Sequence, residues 1–243
     1  MLVAICTDIH GNRHGFEAVI DAAHAAGAEE LWCLGDLVGY GAEPDACVAL
    51  ADEHCSVVLA GNHDLAVTGA LSLEDFSRGA ALAARWTQQA IREDTMAWLR
   101  ELEPAGERAG FGLFHASPRD PVWEYVLSGL TAELCFDATD FRISFIGHSH
   151  VALSFTREEG EPATGMARRE GAELDLSASE WLINPGSAGQ PRDGDPRAAW
   201  LLLDTERQTA SYRREEYDIA GAQAAIRAAR LPDSLAERLQ YGQ

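Results

Sequence analysis

Seven side chains with metal-binding donor atoms each follow a short apolar segment of the sequence. In chain order they are Asp8, His10, Asp36, Asn62, His115, His148 and His150. Carboxylate and amide oxygens mixed with imidazole nitrogens are donors that divalent transition metals accept. Any one of these short motifs by itself is more often a turn or a hydrogen-bonded core residue. Their recurrence at the ends of successive predicted strands instead indicates one shared cluster of metal ions.

The spacing within two ligand pairs predicts how their side chains converge. Asp8 and His10 are two residues apart, and His148 and His150 repeat this spacing. On an extended segment, side chains with this spacing project to the same side of the chain. Asp36 lies on a glycine-flanked loop, and its two carboxylate oxygens would allow it to bridge two ions.

The first part of the chain alternates predicted strands and helices. Strands are expected at Leu2–Cys6, Glu30–Leu34 and Ser56–Ala60, and helices at His14–Ala26 and from Pro44 to about Glu53. This βαβαβ pattern predicts parallel strands whose carboxyl ends carry the ligands. Open α/β sheets place their functional sites at that edge.

Two longer helices and then mainly strands are predicted beyond residue 64. The helices are Leu73–Arg92 and Asp94–Leu102, the second with Asp94 as its N-cap. Strands are then expected at Ala109–Phe114 and Arg142–Ile146. Further strands, joined by turns with little helix between them, are expected at Val151–Thr156, Glu173–Leu176, Trp181–Asn184, Ala198–Leu203 and Thr209–Arg213. Two short helices, Ile219–Ala229 and Ser234–Leu239, follow. This order favours two packed sheets with helices outside them over two separate domains.

The composition limits the class of protein. With 243 residues, 47% of them hydrophobic, the chain can bury a full core, and one domain over residues 1–243 is expected. No signal-peptide pattern and no apolar stretch of about 20 residues is present, so we expect neither export nor a membrane span. Five cysteines without paired spacing favour a reduced, cytoplasmic protein. The formal net charge of −20 argues against general nucleic-acid binding, and the oligomeric state stays open.

Three longer motifs carry a resemblance to a known family. They are Asp8-Ile9-His10-Gly11-Asn12, Gly35-Asp36-Leu37-Val38-Gly39-Tyr40-Gly41 and Asn184-Pro185-Gly186-Ser187. Together with the ligand set, they resemble the calcineurin-like metallophosphoesterase superfamily, and within it a small prokaryotic phosphodiesterase-like branch. The resemblance implies an α/β fold, a four-layer αββα sandwich of two mixed β-sheets flanked by helices. Within that domain we expect a helical insert at about 65–105 and a C-terminal helical tail at about 217–243.

The same resemblance assigns roles to the metal-binding side chains. The implied ligands of a first ion are Asp8, His10, Asp36 and His150, and those of a second ion are Asp36, Asn62, His115 and His148. Manganese is the expected metal, and iron, zinc, nickel or cobalt are also compatible with this donor set. His63 matches the family's catalytic histidine, and the neighbouring Asp64 is expected to orient its ring.

The implied reaction is the hydrolysis of a small phosphorylated substrate. Two ions roughly 3.5–4 Å apart can hold a bridging hydroxide and grip the phosphoryl oxygens for in-line displacement. His63 would stabilise or protonate the leaving oxygen. Two dications, two carboxylates and one hydroxide leave about one net positive charge, which a phosphodiester monoanion neutralises. We therefore expect a diester, such as a cyclic nucleotide.

Other substrates and roles on the same scaffold stay open. A phosphomonoester dianion would need more positive charge, and the candidates are Arg13 and Arg192, with Asn12 as a further substrate contact. Related protein phosphatases and dinucleoside polyphosphate hydrolases carry Gly-Asp followed by an Asp-Arg-Gly run, whereas Gly35-Asp36 of this chain is followed by Leu37-Val38-Gly39-Tyr40-Gly41, which counts against them. The last alternative is a non-catalytic metal-binding scaffold, although the histidines that such proteins lose are present here.

Overall fold

Two six-stranded mixed β-sheets lie at the centre of the fold in a computed structural model that describes residues 1–243. The strands are β1 (Leu2–Cys6), β2 (Glu30–Cys33), β3 (Val57–Val58), β4 (Ala105–Arg108), β5 (Phe111–Phe114), β6 (Ile143–Phe145), β7 (Ala152–Arg157), β8 (Thr164–Ala167), β9 (Glu173–Asp175), β10 (Glu180–Pro185), β11 (Ala198–Asp204) and β12 (Thr209–Glu215). The first sheet has the order β3-β2-β1-β11-β12-β9 and the second β4-β5-β6-β10-β7-β8. Strands β1, β2 and β3 pair in parallel, as do β5, β6 and β10, and the other pairs are antiparallel.

Eight α-helices and one 3₁₀-helix surround the sheets. They are α1 (Arg13–Ala25), α2 (Pro44–His54), α3 (Asn62–Thr68), α4 (Arg78–Ala90), α5 (Glu93–Leu99), α6 (Gly129–Phe136), α7 (Ile219–Ala228), α8 (Asp233–Glu237) and the 3₁₀-helix Arg238–Tyr241. Each is too short or too polar to cross a lipid bilayer.

Strand β1 shows why the two sheets stack. Its alternate side chains Val3 and Ile5 join the core between the sheets, whereas Ala4 and Cys6 face the helical side. Successive side chains of a strand point to opposite faces, so a strand that is apolar throughout must be covered on both sides. Because Val3 to Cys6 of β1 are all buried, the strand requires a second sheet on one face and helices on the other.

The cores define four layers. Helices α1, α2 and α5 cover the outer face of the first sheet, with Phe16 and Leu99 in a shared apolar cluster. Helix α6 covers the second sheet through Phe136, which clusters with Phe155 and Leu182. The predicted αββα sandwich of two mixed sheets is therefore confirmed.

Some element predictions were wrong. Helix α6, between β5 and β6, was not predicted; its N-cap Ser128 accepts a hydrogen bond from Thr131 N. The expectation of little helix among the strands from residue 151 onwards is confirmed, because no helix lies between β7 and β12. Helix α4 begins after Ser77 rather than at Leu73, because the Ser77 side chain caps it. Helix α5 has Arg92 at its N-cap and not Asp94. Helix α3 and strands β4 and β8 were also missed.

The C-terminal helices pack on α4. Leu235, Leu239 and Ile226 form an apolar cluster with Ala83 of α4. Tyr40, on the loop after β2, packs against the same cluster. The C-terminal helices are thereby brought to the edge of the sheet where the predicted ligands lie.

Candidate metal centre

The predicted ligands follow the carboxyl ends of five strands. Asp8 and His10 come after β1, Asp36 after β2, Asn62 after β3, His115 after β5, and His148 and His150 after β6. Because these strands run parallel within each sheet and the sheets are stacked, the five strand ends meet at one edge. The fold thus brings all seven side chains together, and each is buried.

The backbone at five of these residues is left-handed rather than extended. The φ angles are +56° at Asp8, +52° at His10, +55° at Asp36, +65° at His148 and +59° at His150. The expectation that two-residue spacing on an extended segment aligns the pairs is therefore wrong. Residues other than glycine adopt this conformation at a cost of about 1–3 kcal/mol each, and such strain concentrates at functional sites.

The side chains form two groups that share Asp36. In each group the ligand atoms lie within 4.8 Å of one another, and the groups are Asp8, His10, Asp36 and His150, and Asp36, His115 and His148. Asp36 Oδ2 lies 3.4 Å from Nε2 of His10 and 3.6 Å from Nε2 of His115, so one oxygen atom faces both groups. Asn62 Oδ1 joins the second group, 3.3 Å from His115 Nε2.

Main-chain carbonyls fix which imidazole nitrogen is free to bind. Nδ1 of His115 lies 2.9 Å from the Leu34 oxygen, and Nδ1 of His150 lies 2.7 Å from the Gln190 oxygen. A carbonyl oxygen only accepts, so Nδ1 carries the hydrogen and Nε2 keeps its lone pair. Metal-binding histidines show this arrangement, in which a hydrogen bond sets the tautomer and aims the ring.

Burial shifts the pKa values of the cluster towards neutral side chains. It raises the pKa of Asp8 to about 7 and also raises that of Asp36. It lowers the pKa of His148 to about 2, and it lowers those of His10 and His150 as well. Neutral imidazoles are the form that binds metals, and a bound cation would stabilise the carboxylates as anions.

Two buried atoms of the cluster lack a hydrogen-bond partner. They are Asp8 Oδ1 and His148 Nε2, one in each group. Buried polar atoms without partners cost free energy, and a cation held by each group would satisfy them. Together with the oxygen and nitrogen donor set, these atoms fit divalent transition-metal ions.

The segment from Asn184 to Gln190 lies beneath the ligands. Ser187 Oγ donates to the Asp8 carbonyl oxygen over 2.7 Å, and Asn184 Nδ2 donates to the Gly147 carbonyl oxygen over 2.6 Å. The Asn-Pro-Gly-Ser motif thus holds the backbone of both ligand-bearing loops. It does not line the cavity above the ligands.

His63 lies beside the ligand groups, and Asp64 does not touch its ring. The Asp64 carboxylate accepts hydrogen bonds from the main-chain N–H groups of Gly61, Leu37 and Val38 at 2.8–3.2 Å. His63 Nδ1 has no hydrogen-bond partner. The expectation that Asp64 orients His63 is therefore wrong, because this carboxylate holds the loops of α3 and β2 together. Burial lowers the pKa of His63 to about 3.

A cavity of about 260 Å³ opens above the ligands. Its walls include the aromatic rings of Tyr40, Phe76, Trp123 and Tyr125, and Tyr125 stacks on His148 with ring centroids 4.1 Å apart. A larger cavity of about 720 Å³ lies beside α6 and β7. Several glutamates line that larger cavity, so it would repel a phosphorylated ligand.

The predicted substrate contacts fall in different places. Arg192 lines the cavity above the ligands. Arg13, on α1, lies outside that cavity and donates to Glu43 over 2.8 Å and to Glu17 over 2.9 Å. Asn12 caps α1, accepting from Gly15 N and donating to the Gly189 carbonyl oxygen. The structure therefore brings only Arg192 of these three to the cavity.

Sequence reasoning missed Arg238, which also lines the cavity. This arginine lies in the C-terminal 3₁₀-helix, far along the chain from every ligand. No spacing or motif connects it with the site. The packing of Leu235 and Leu239 against α4 places it there.

Comparison with protein families assigns this architecture. Residues 1–208 match the family model described as the calcineurin-like phosphoesterase superfamily domain. The chain belongs to this superfamily. The resemblance predicted from the sequence is confirmed, and the protein is a metallophosphoesterase with a buried Asp and His cluster that could bind metal ions.

Similar proteins match this chain over almost its full length. An uncharacterized protein of Methanocaldococcus jannaschii is 35% identical over 248 residues, 99% of this chain and 98% of that protein. The crystal structure of a metallophosphoesterase from Sphaerobacter thermophilus is 37% identical, with a TM-score of 0.89, and the match covers 100% of this chain and 99% of that one. A hypothetical protein from Pyrococcus horikoshii OT3 shares the fold at 17% identity and a TM-score of 0.77, over 100% and 98% of the two chains.

Proposed function

We propose that this phosphoesterase hydrolyses a small phosphodiester at a centre that holds two divalent metal ions. The observation that carries the proposal is the position of Asp36, whose Oδ2 faces His10 of one ligand group and His115 of the other. A carboxylate shared by two groups is what a pair of adjacent ions requires. When bound, such ions supply Lewis-acid charge for the phosphoryl oxygens and a nucleophile from water at neutral pH.

The chain's own residues would position the ions and the substrate. Asp8, His10 and His150 with Asp36 would hold one ion, and Asn62, His115 and His148 with Asp36 the other. The carbonyl contacts of the rings keep each Nε2 directed inward. Manganese is the first ion to test, because its preference for oxygen donors suits the carboxylates and the amide, and imidazole donors are also accepted.

His63 would act on the leaving oxygen. It lines the cavity, and burial lowers its pKa to about 3, so the ring is neutral at pH 7. A neutral imidazole still carries one N–H, which would donate a hydrogen bond to the developing negative charge on the leaving oxygen. This role requires no proton uptake before the substrate binds.

Charge balance favours a diester as the group that is cleaved. Two bound dications, the carboxylates of Asp8 and Asp36 and one hydroxide would together carry about one net positive charge, and a phosphodiester carries one negative charge. The cavity of about 260 Å³ suits a small substrate rather than a folded protein. The five free cysteines support a cytoplasmic location.

The proposal is tested with manganese-loaded protein and the chromogenic diester bis(p-nitrophenyl) phosphate. We expect hydrolysis by the native protein and its near-complete loss in Asp36→Asn and His63→Ala. Asp21→Asn is the matched control, because Asp21 is exposed on α1 and its substitution removes the same charge. A native protein that binds manganese but does not cleave this diester would overturn the proposal, and cleavage of p-nitrophenyl phosphate alone would indicate a phosphomonoesterase instead.

A further inference from the structure

Two arginines converge on one aromatic ring beside the candidate metal centre. The guanidinium carbon of Arg192 lies 5.6 Å from the Tyr40 ring centroid, and that of Arg238 lies 5.9 Å from it. The Tyr40 ring also contacts the rings of His10 and His63, with centroids 4.8 Å and 4.5 Å away. The Tyr40 ring therefore lies between the two guanidinium groups and the ligand His10.

No Asp or Glu side chain pairs with either arginine, although the chain has 39 acidic residues. Arg238 Nε donates to the main-chain oxygen of Gln243 over 2.6 Å, which leaves its terminal nitrogens for other partners. Both donate to Oε1 of Gln190, Arg192 over 3.0 Å and Arg238 over 3.2 Å. Arg192 Nε is buried without any partner. Asp75 also lines the cavity but forms no ion pair with either arginine. The terminal nitrogens of both guanidinium groups share this neutral acceptor, so the two positive charges repel each other, and an anion between them would offset that repulsion.

Buried contacts hold the two arginines in place. Gln190 is 2% exposed, and its main-chain oxygen accepts from His150 while its side chain meets both guanidinium groups. Gly194 N donates to the Gly242 carbonyl oxygen over 3.0 Å, which ties the end of the chain to the loop that carries Arg192. The pair is therefore positioned before any ligand binds.

We propose that Arg192 and Arg238 bind a second phosphate of the substrate, so that the substrate is a small phosphodiester with a terminal phosphomonoester. This inference rests on the proposed function of the centre. The diester alone balances the charge of the centre, and a terminal phosphate dianion balances the two arginines. Arginine side chains bind phosphate oxygens through paired hydrogen bonds. Arg192 lies within the matched residues 1–208, whereas Arg238 lies beyond them, so the C-terminal 3₁₀-helix supplies one half of the subsite.

The test compares two dinucleotides with the manganese-loaded protein. One is thymidylyl-thymidine, which has a single diester, and the other is its 5′-phosphorylated form. We expect native protein to prefer the phosphorylated form in kcat/KM, and the preference to fall about tenfold in Arg238→Gln and in Arg192→Gln. Arg238→Lys should keep part of the preference, because the charge remains but the paired geometry is lost. Arg85→Gln, an exposed arginine on α4, should keep all of it.

A binding measurement separates the subsite from turnover. Isothermal titration of the manganese-loaded His63→Ala protein with both dinucleotides should give the lower Kd for the phosphorylated form, and adding Arg238→Gln should remove that difference. Equal kcat/KM values for the two dinucleotides in the native protein would overturn the inference while leaving the proposed function intact. Equal losses on both dinucleotides in Arg238→Gln would also overturn it, since the arginines would then contact the cleaved phosphate. Hydrolysis of no diester at all would instead count against the proposed function.

Discussion

His10 Nε2 lies 3.0 Å from His150 Nε2, with the two rings stacked at 4.7 Å. Nδ1 of His10 faces the Val38 carbonyl oxygen and Nδ1 of His150 faces that of Gln190. Both Nε2 atoms therefore present lone pairs to each other, which is unfavourable unless a cation lies between them. Two neutral imidazole nitrogens that face each other in this way could bind one divalent ion together.

Replacement of His150 should remove one ion and spare the other. His150 belongs only to the group of Asp8, His10 and Asp36, whereas His115 and His148 hold the second group with Asp36. We expect His150→Ala to lower the metal content from two ions per chain to about one, measured by mass spectrometry of the dialysed protein. His24→Ala, at an exposed position on α1, should retain two ions. A native chain with a single ion would contradict the shared-carboxylate arrangement.

Gly61→Ala should disturb the shared carboxylate directly. A Cβ at this position would overlap the carboxylate and main-chain N of Asp36. We expect the free energy of unfolding to fall by about 1–3 kcal/mol and metal binding to weaken, because Asp36 must move. Urea unfolding and metal content provide the measurements. Gly79→Ala is the matched control, since no atom lies within 4 Å of a Cβ added there, and it should not destabilise the protein.

Asp64→Asn should destabilise the loops that its carboxylate joins, in addition to any effect on hydrolysis. The carboxylate accepts from three main-chain N–H groups, and an amide would turn N–H groups towards one or more of these donors. We expect a loss of about 1–3 kcal/mol in the free energy of unfolding, together with lower metal content. If metal content and stability were unchanged while the pH profile of hydrolysis shifted, Asp64 would act on His63 after all.

Glu30 should give a stability contribution that depends on pH. The hydrogen bond from Arg108 lowers the pKa of Glu30 most, and those from Trp32 and Ser56 add to it, whereas partial burial raises it. The result is a pKa of about 2 in the folded protein, against about 4.3 in an unfolded chain. A lowered folded-state pKa stabilises the fold above the unfolded value, and this contribution is lost as the pH falls from about 4.3 towards 2.

The measurement compares native protein with Glu30→Gln by urea unfolding at pH 6 and pH 3. We expect the variant to be less stable by about 1 kcal/mol at pH 6, and the difference to shrink at pH 3. Glu159→Gln, at an exposed position without an ion pair, should match the native protein at both values. A difference that grows at pH 3 would be of the wrong sign for a lowered pKa.

The sequence predicted the fold class and the site components for identifiable reasons. The apolar β1 and β2 segments, each followed by ligand-type residues, indicated strands that end at a site. The later helix α6 was missed, because Leu130 and Leu134 are exposed and its apolar residues do not follow a single face. The assignment of the seven ligands and His63 stays a prediction, although the structure brings them together.

By itself, the sequence determined which side chains carry donor atoms and in what order, because residue type and spacing along β1, β2 and the other strands are local properties. Only the tertiary structure decided that Arg13 pairs with glutamates, that Asp64 binds main-chain N–H groups, and that Arg238 joins Arg192. These contacts join segments far apart in the chain, such as Gln190 and Arg238. The packing of the C-terminal helices on α4 brings Arg238 to Gln190, and no local sequence pattern predicts that packing.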